Sequence, residues 1–151
     1  MIDVLKLTDK NSKKLDEVAN LFDQYRIFYN QESNYDAAKN FLLDRIKNKD
    51  SEIFFASEDE KILGFTQLYH SFSSVGLRKI IILNDLYVAN EARSRGVAKA
   101  LIKKVKDFCL ENKITKITLS TQKNNKLAQN LYEAQGFINN DNFLTYNFEI
   151  N

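Results

Sequence analysis

Glycine occurs only at positions 64, 76, 96 and 136 of this 151-residue chain, so neither G-x-G-x-x-G nor G-x-x-x-x-G-K can be assembled from it. The dinucleotide-binding and P-loop readings are thereby excluded. Proline is absent, no Gly/Ser-rich linker interrupts the chain and no internal repeat is visible, which predicts one domain over residues 1–151. Cys109 is the only cysteine, so an internal disulfide is impossible, and His70 is the only histidine, which removes the usual zinc constellations. No metal is expected. A Ser-His-Asp arrangement would have to use His70, and no nucleophile elbow accompanies it.

Long apolar runs are missing as well. The longest purely aliphatic stretch, Ile80–Leu83, falls far short of the ~20 residues that span a bilayer. Asp3 and Lys6 break up the apolar N-terminal residues, unlike a signal peptide. The expectation is a cytoplasmic protein with no membrane partner. Twenty-two basic residues nearly balance twenty acidic ones without long single-sign blocks, so the net charge of +2 leaves no footprint of a nucleic-acid partner.

What is present is a folded composition: 44% hydrophobic and 12% aromatic residues are incompatible with a disordered chain. Ile2, Val4 and Leu7 suggest a first strand, and Leu15, Val18, Ala19, Phe22 and Tyr25 then follow a helical stripe. A second helix is predicted from near Asp36, with Ala38, Phe41, Leu42 and Ile46 toward the core. Strands follow at Ile53–Ala56, from Ile62 to about Tyr69, and from about Arg78 to Val88. From Val97, the residues Ala98, Leu101, Ile102, Val105, Phe108 and Cys109 mark an amphipathic helix. Ile114–Thr121 reads as a strand, Lys126–Gln135 as a helix, and alternating Leu144, Tyr146, Phe148 and Ile150 as a closing strand. Short turns between the early strands imply antiparallel pairing, whereas the strands flanking the 97–112 helix should be parallel. The predicted class is α/β: a mixed, largely antiparallel central sheet with a parallel β-α-β core and helices on both faces.

Arg93-Ser94-Arg95-Gly96-Val97-Ala98 stands between a strand and a helix start. Unpaired amides and a partial positive charge make a helix N-terminus an anion site. Gly96 would let a phosphate approach the backbone, Ala98 keeps the next turn small, and Arg93, Arg95 and Lys99 add cationic contacts. On these six residues alone, surface arginines around a plain turn are an equal alternative.

A second signature lies downstream, Asn125-Lys126-Leu127-Ala128-Gln129-Asn130-Leu131-Tyr132-Glu133-Ala134-Gln135-Gly136-Phe137. With Asn84–Val88 and the Arg93 segment, it resembles the GNAT superfamily of N-acetyltransferases. The family pattern R/Q-x-x-G-x-G/A is matched by Arg93, Gly96 and Ala98, and N-x-x-A-x-x-L-Y-x-x-x-G-F by Asn125, Ala128, Leu131, Tyr132, Gly136 and Phe137. Ser94 and Asn90 depart from the residues many members carry, Gly and Pro, but backbone donors remain.

The resemblance implies the acyl-CoA N-acyltransferase fold and acetyl-CoA as cofactor. It implies that the backbone of Leu86, Tyr87 and Val88 pairs with the pantetheine arm. Arg93, Ser94, Arg95, Gly96, Val97, Ala98 and Lys99 would wrap the pyrophosphate, and Asn125, Ala128 and Tyr132 would line the pantetheine and thiol. Tyr132 would also protonate the departing thiolate. Direct transfer to an alkylamine needs that amine neutral, although its ordinary pKa is ~10.4. Relatives that acetylate polyamines often carry Glu-Asp where this chain has Asn84-Asp85. That leaves Asp85, directly or through a water, or solvent as the base.

Tyr25, Phe28 and Tyr29 at helical spacing, followed by Glu32, suggest with Asn84 and Asp85 an acceptor groove suited to a cation; the plainer alternative is core aromatics and solvated acids. This segment with Gln67, Leu68 and Tyr69 is similar to the Hpa-type and diamine acetyltransferase branch, in which homodimers are common. The expected activity is acetyl transfer to a primary amine of a small molecule or polyamine. The alternatives are a protein or peptide N-acetyltransferase and a catalytically silent acyl-CoA-binding regulatory domain.

Overall fold

A computed structural model describes residues 1–151, Ser12 by its backbone alone, and the chain divides into two compact units, 1–120 and 121–151. In the first, the predicted apolar stripe of Leu15, Val18, Ala19 and Phe22 is buried and seats α1 (Ser12–Phe28) on a five-stranded sheet. Its strands are β1 (Asp3–Lys6), β2 (Ser51–Glu58), β3 (Lys61–Ser73), β4 (Arg78–Val88) and β5 (Ile117–Thr118), in spatial order β1-β2-β3-β4-β5. The first four pair antiparallel and β4 pairs with β5 in parallel. Helix α3 (Val97–Glu111) makes that crossover, as a parallel connection requires. Helix α2 (Tyr35–Asn48) starts under the Asn34 cap, whose side chain accepts from the Ala37 amide at 3.1 Å.

The sheet is covered on two faces by different helices. On one, Phe65 of β3 meets Phe22 and Tyr25 of α1, with ring centroids 5.9 and 6.1 Å apart. On the other, Phe54, Leu68, Ile81 and Leu83 pack with Val105 and Cys109 of α3. The mixed sheet with helices on both faces agrees with the class read from the sequence.

Several elements differ from expectation. The Ile114–Thr121 strand shrinks to two residues because only Ile117 and Thr118 find ladder partners, Ile81 and Ile82. Strand β3 runs past Tyr69 to Ser73, since β4 supplies partners as far as Arg78. Phe41 is 41% exposed rather than core; it lies against Phe22 and under the Arg45 guanidinium. The closing strand predicted at Leu144–Ile150 is not formed, and residues 143–150 carry neither helix nor strand. Alternation signals a strand only where a neighbour supplies the ladder, and the same alternation sits equally well on an extended segment without one.

The second unit holds α4 (Lys126–Ala134), and its motif residues build its two ends. Asn125 accepts from the Ala128 amide at 3.1 Å, an N-cap. At the other end the Gly136 amide donates to the Glu133 carbonyl and the Phe137 amide to that of Tyr132, both at 3.0 Å. With Gly136 at φ +93°, this is a Schellman closure, and the Tyr132 and Phe137 rings lie 5.8 Å apart beside it.

Gly64 fixes how closely three elements of the first unit approach. A β-carbon there would stand 2.7 Å from the Tyr87 carbonyl oxygen, 3.2 Å from Val97 Cγ1 and 3.3 Å from Val88 Cα. The first neighbour is backbone in the adjacent strand and cannot step aside alone. Gly64→Ala is therefore expected to cost about 1–3 kcal/mol, read as a lowered midpoint of thermal unfolding; an unchanged midpoint would show that β3 and β4 separate freely.

Candidate active site

Strand β4 carries one residue more than β3 at its middle. Gln67 pairs with Asp85 but Leu68 pairs with Leu83, so Asn84 is a bulge. The bulge turns Asp85 to the α1 face, whereas Leu83 packs on the α3 face. Asn84 is exposed and Asp85 buried, only 4% accessible.

The Asp85 carboxylate is held by neutral donors. Gln67 Nε2 donates to Oδ2 at 2.8 Å and Asn84 Nδ2 to Oδ1 at 3.1 Å. Thr66 Oγ1 donates to the Asp85 backbone carbonyl at 2.7 Å, and Tyr25 donates to the Asn84 carbonyl at 3.3 Å. Burial pushes the Asp85 carboxyl above the usual carboxylate range, and hydrogen bonds from Gln67, Tyr25 and Asn84 oppose that rise. Tyr69 of β3 is pushed up to about 12, first by burial and then by the Asp85 charge, which places its phenol within electrostatic reach of the carboxylate.

Tyr25 of α1 reaches this carboxylate and is the centre of an aromatic cluster with Tyr29 and, from β4, Tyr87. Tyr25 packs 5.0 Å from Tyr29 and 6.1 Å from Tyr87, so two of the three predicted α1 aromatics share the site. Phe28 is 52% exposed and meets only the outer side of the cluster through Tyr29. Glu32 is exposed, and its contribution is a backbone carbonyl that accepts from Arg26 at 3.2 Å. The buried acid nearby is instead Asp23 of α1, which accepts from Ser33 Oγ at 2.6 Å and from the Asn34 amide at 2.8 Å in the connection to α2.

Beyond the bulge, β4 has a strand neighbour on one side only, because β5 stops pairing at Ile82. The Ala89 amide donates to the Leu63 carbonyl at 2.8 Å and the Asp85 carbonyl accepts from Thr66, so 85, 87 and 89 direct their backbone to β3. By alternation, Leu86 and Val88 direct theirs to the open edge. Tyr87 thus presents its ring rather than its backbone. The Val88 carbonyl accepts from Arg93 Nε at 3.3 Å, and the Arg93 guanidinium lies 5.8 Å from the Tyr87 ring centroid.

At the start of α3, Gly96 is the N-cap at φ +82°, no side chain caps the first turn, and Ser94 is also left-handed at φ +63°. The first helical bond runs from the Ala100 amide to the Gly96 carbonyl, leaving the amides of Val97, Ala98 and Lys99 without intrahelical acceptors. Apart from its chain neighbours, no atom of the described residues lies within 4 Å of the position a Gly96 β-carbon would take. These uncapped amides beside open space fit a phosphate group. Val97 is buried, Ala98 half-buried, and Arg93, Ser94, Arg95 and Lys99 are exposed. Arg95 is already paired with Glu58, which also takes the N-terminal ammonium at 3.0 Å. Lys103 pairs with Asp107 along α3.

Gln67, Thr66, Tyr69 and Gly64 were not singled out by chemistry in the sequence. The available signal was a Thr-Gln pair inside the otherwise apolar run of β3, where a buried polar side chain must find a partner.

The family model described as the acetyltransferase (GNAT) family matches residues 15–137. An uncharacterized N-acetyltransferase, YhfO, of Bacillus subtilis is 42% identical over 129 residues, covering 85% of this chain and 87% of that protein. A crystal structure of a probable acetyltransferase superposes with a TM-score of 0.89 at 38% identity, covering 99% of this chain and 98% of the other. The thialysine N-epsilon-acetyltransferase of Bos taurus is 35% identical over 75 residues, 50% of this chain and 44% of that protein.

Proposed function

Since the chain belongs to the GNAT family of acetyltransferases, we propose that it moves an acetyl group from acetyl-CoA directly to a primary amine of a small cationic molecule. The observation that carries this reading is Asp85: a buried carboxylate held by neutral donors, reached by Tyr25 of the cluster it forms with Tyr29 and Tyr87, and adjoining the open edge of β4. A carboxylate in that setting attracts an ammonium group and can accept its proton, and tyrosine faces add cation–π attraction. The partial likeness to a thialysine N-epsilon-acetyltransferase, whose name specifies an amine acceptor, supports the same class.

Acetyl-CoA would supply the activated acetyl thioester. The amides at 97–99, with Arg93, Arg95 and Lys99, would hold its phosphates, and the outward backbone of Leu86 and Val88 would meet its arm. An outward amide at the same edge would polarise the reacting carbonyl. Asp85 would take a proton from the acceptor ammonium, leaving the amine lone pair for attack. The assignment of proton donor to Tyr132, and of thiol-side contacts to Asn125 and Ala128, rests on the motif.

The test is a panel of primary amines, polyamines and peptides with detection of the released thiol. Thiol appearing only with acetyl-CoA and a small amine supports the proposal. Preference for peptides would favour a protein acetyltransferase, and tight cofactor binding without turnover would favour a silent domain. Tyr132→Phe is expected to lower kcat by about 10-fold or more while leaving the KM for acetyl-CoA nearly unchanged; full activity would remove Tyr132 from the acid role.

A further inference from the structure

Gln67 is fully buried, yet among the described residues its Oε1 has no hydrogen-bond partner, while its Nε2 is spent on Asp85 Oδ2. Turning the amide over would set two acceptors against each other, so the orientation is dictated by the carboxylate. The isolated carbonyl is the accompanying cost, since a buried acceptor without a donor is destabilising. A side chain serving only as packing at this position would be apolar, like its neighbours Phe65 and Leu68.

The two carboxylate oxygens differ in their surroundings. Oδ2 faces the buried Gln67, whereas Oδ1 faces Asn84, the exposed residue of the bulge. We propose that Gln67 is the positioning residue of Asp85: by anchoring Oδ2 it leaves Oδ1, on the open side, as the oxygen that receives the acceptor's proton. The inference rests on the reading of Asp85 as the base. In the step it describes, an acceptor N–H bond breaks with its electron pair staying on nitrogen. The proton joins Oδ1, and the resulting carboxylic acid later returns it to solvent. Once protonated, the carboxyl remains anchored through Oδ2 in the same place.

The groups that bear on this carboxylate are few. Tyr25 faces it from α1 and Tyr69 from β3; Arg45 of α2 and Asp50 just after that helix act on Tyr69. Gln67 and Asn84 are the neutral donors. Removing the Gln67 donor withdraws a bond that favours the charged form, so the carboxyl should bind its proton more tightly.

The experiment is the pH dependence of kcat/KM for the amine in the wild type, Gln67→Met, Gln67→Glu and Asp85→Asn. Gln67→Met conserves length and suits burial. It is expected to move the acidic limb upward by about one pH unit, a loss of about tenfold on the limb that largely recovers above it, with the KM for acetyl-CoA unchanged. Gln67→Glu sets a second carboxyl beside the first, so the limb should move up further and broaden into two steps. A limb that stays in place in both variants, with activity lost equally at every pH, would overturn the positioning role and leave Asp85 untouched. If Asp85→Asn kept the wild-type limb, the base itself would be misassigned and the positioning role would fall with it.

Discussion

Asp85→Asn is expected to lower kcat/KM for the amine by about 100-fold or more near neutral pH, the usual worth of a positioned base. The variant should lose the acidic limb and instead gain about tenfold in rate per pH unit, because only the neutral fraction of the free amine then reacts. The KM for acetyl-CoA should barely change, since the carboxylate faces α1 while the proposed phosphate cradle is the start of α3. Stability supplies an independent sign. A carboxyl whose pKa is raised on folding binds its proton more tightly in the native state, so stability falls as pH rises from the ordinary aspartate value through the raised one. Asp85→Asn should therefore flatten the dependence of the unfolding midpoint on pH in that window. Retained activity with a wild-type pH profile would sink the assignment.

The second large effect is expected at Gly96. Its φ of +82° is one that β-branched residues avoid, so Gly96→Val should cost about 1–3 kcal/mol of stability. Apart from the residues next to it in the chain, no atom of the described residues stands within 4 Å of the new β-carbon, so the substitution makes no clash with other elements. Its steric effect would fall on whatever occupies the space above the first turn of α3. Binding of coenzyme A, measured calorimetrically, is expected to weaken by tenfold or more, with the amine KM little affected in the fraction that folds. Gly96→Val that folded and bound coenzyme A normally would remove the cradle reading.

How much of this was legible in the sequence depended on whether the signal was local. The stripe Leu15, Val18, Ala19, Phe22 and the α3 stripe Leu101, Ile102, Val105 report burial on one helix face, and they gave the layers correctly. The Asn125 and Gly136 positions are equally local, because capping is decided within a few residues. Asp85 was reached through the family resemblance, but its partners could not be read, since Gln67 reaches it across the ladder and Tyr25 from another element. Glu32 and Phe28 followed the right spacing yet sit outside the polar cluster: helical periodicity gives the direction of a side chain, not where the helix ends relative to the sheet. Gly64 was invisible for the same reason, as its constraint comes from the backbone of β4. The alternation at 144–150 shows the converse, a local pattern whose outcome depends on a ladder partner elsewhere in space.

Asn84 also acts as a parity switch. Side chains along a strand alternate, and residues 83 and 85 would ordinarily share a face. The single extra residue reverses the count, so that an apolar residue for α3 and a carboxylate for α1 sit two positions apart. Drawing Asn84 into a regular place opposite Gln67 would carry Asp85 opposite Thr66, into the apolar packing under α3, and the outward amides would pass from Leu86 and Val88 to their neighbours; deleting Asn84 would remove the bulge and leave Asp85 opposite Gln67. The irregular pairing at Asn84, and not the residue count alone, decides on which side of the sheet the acid stands.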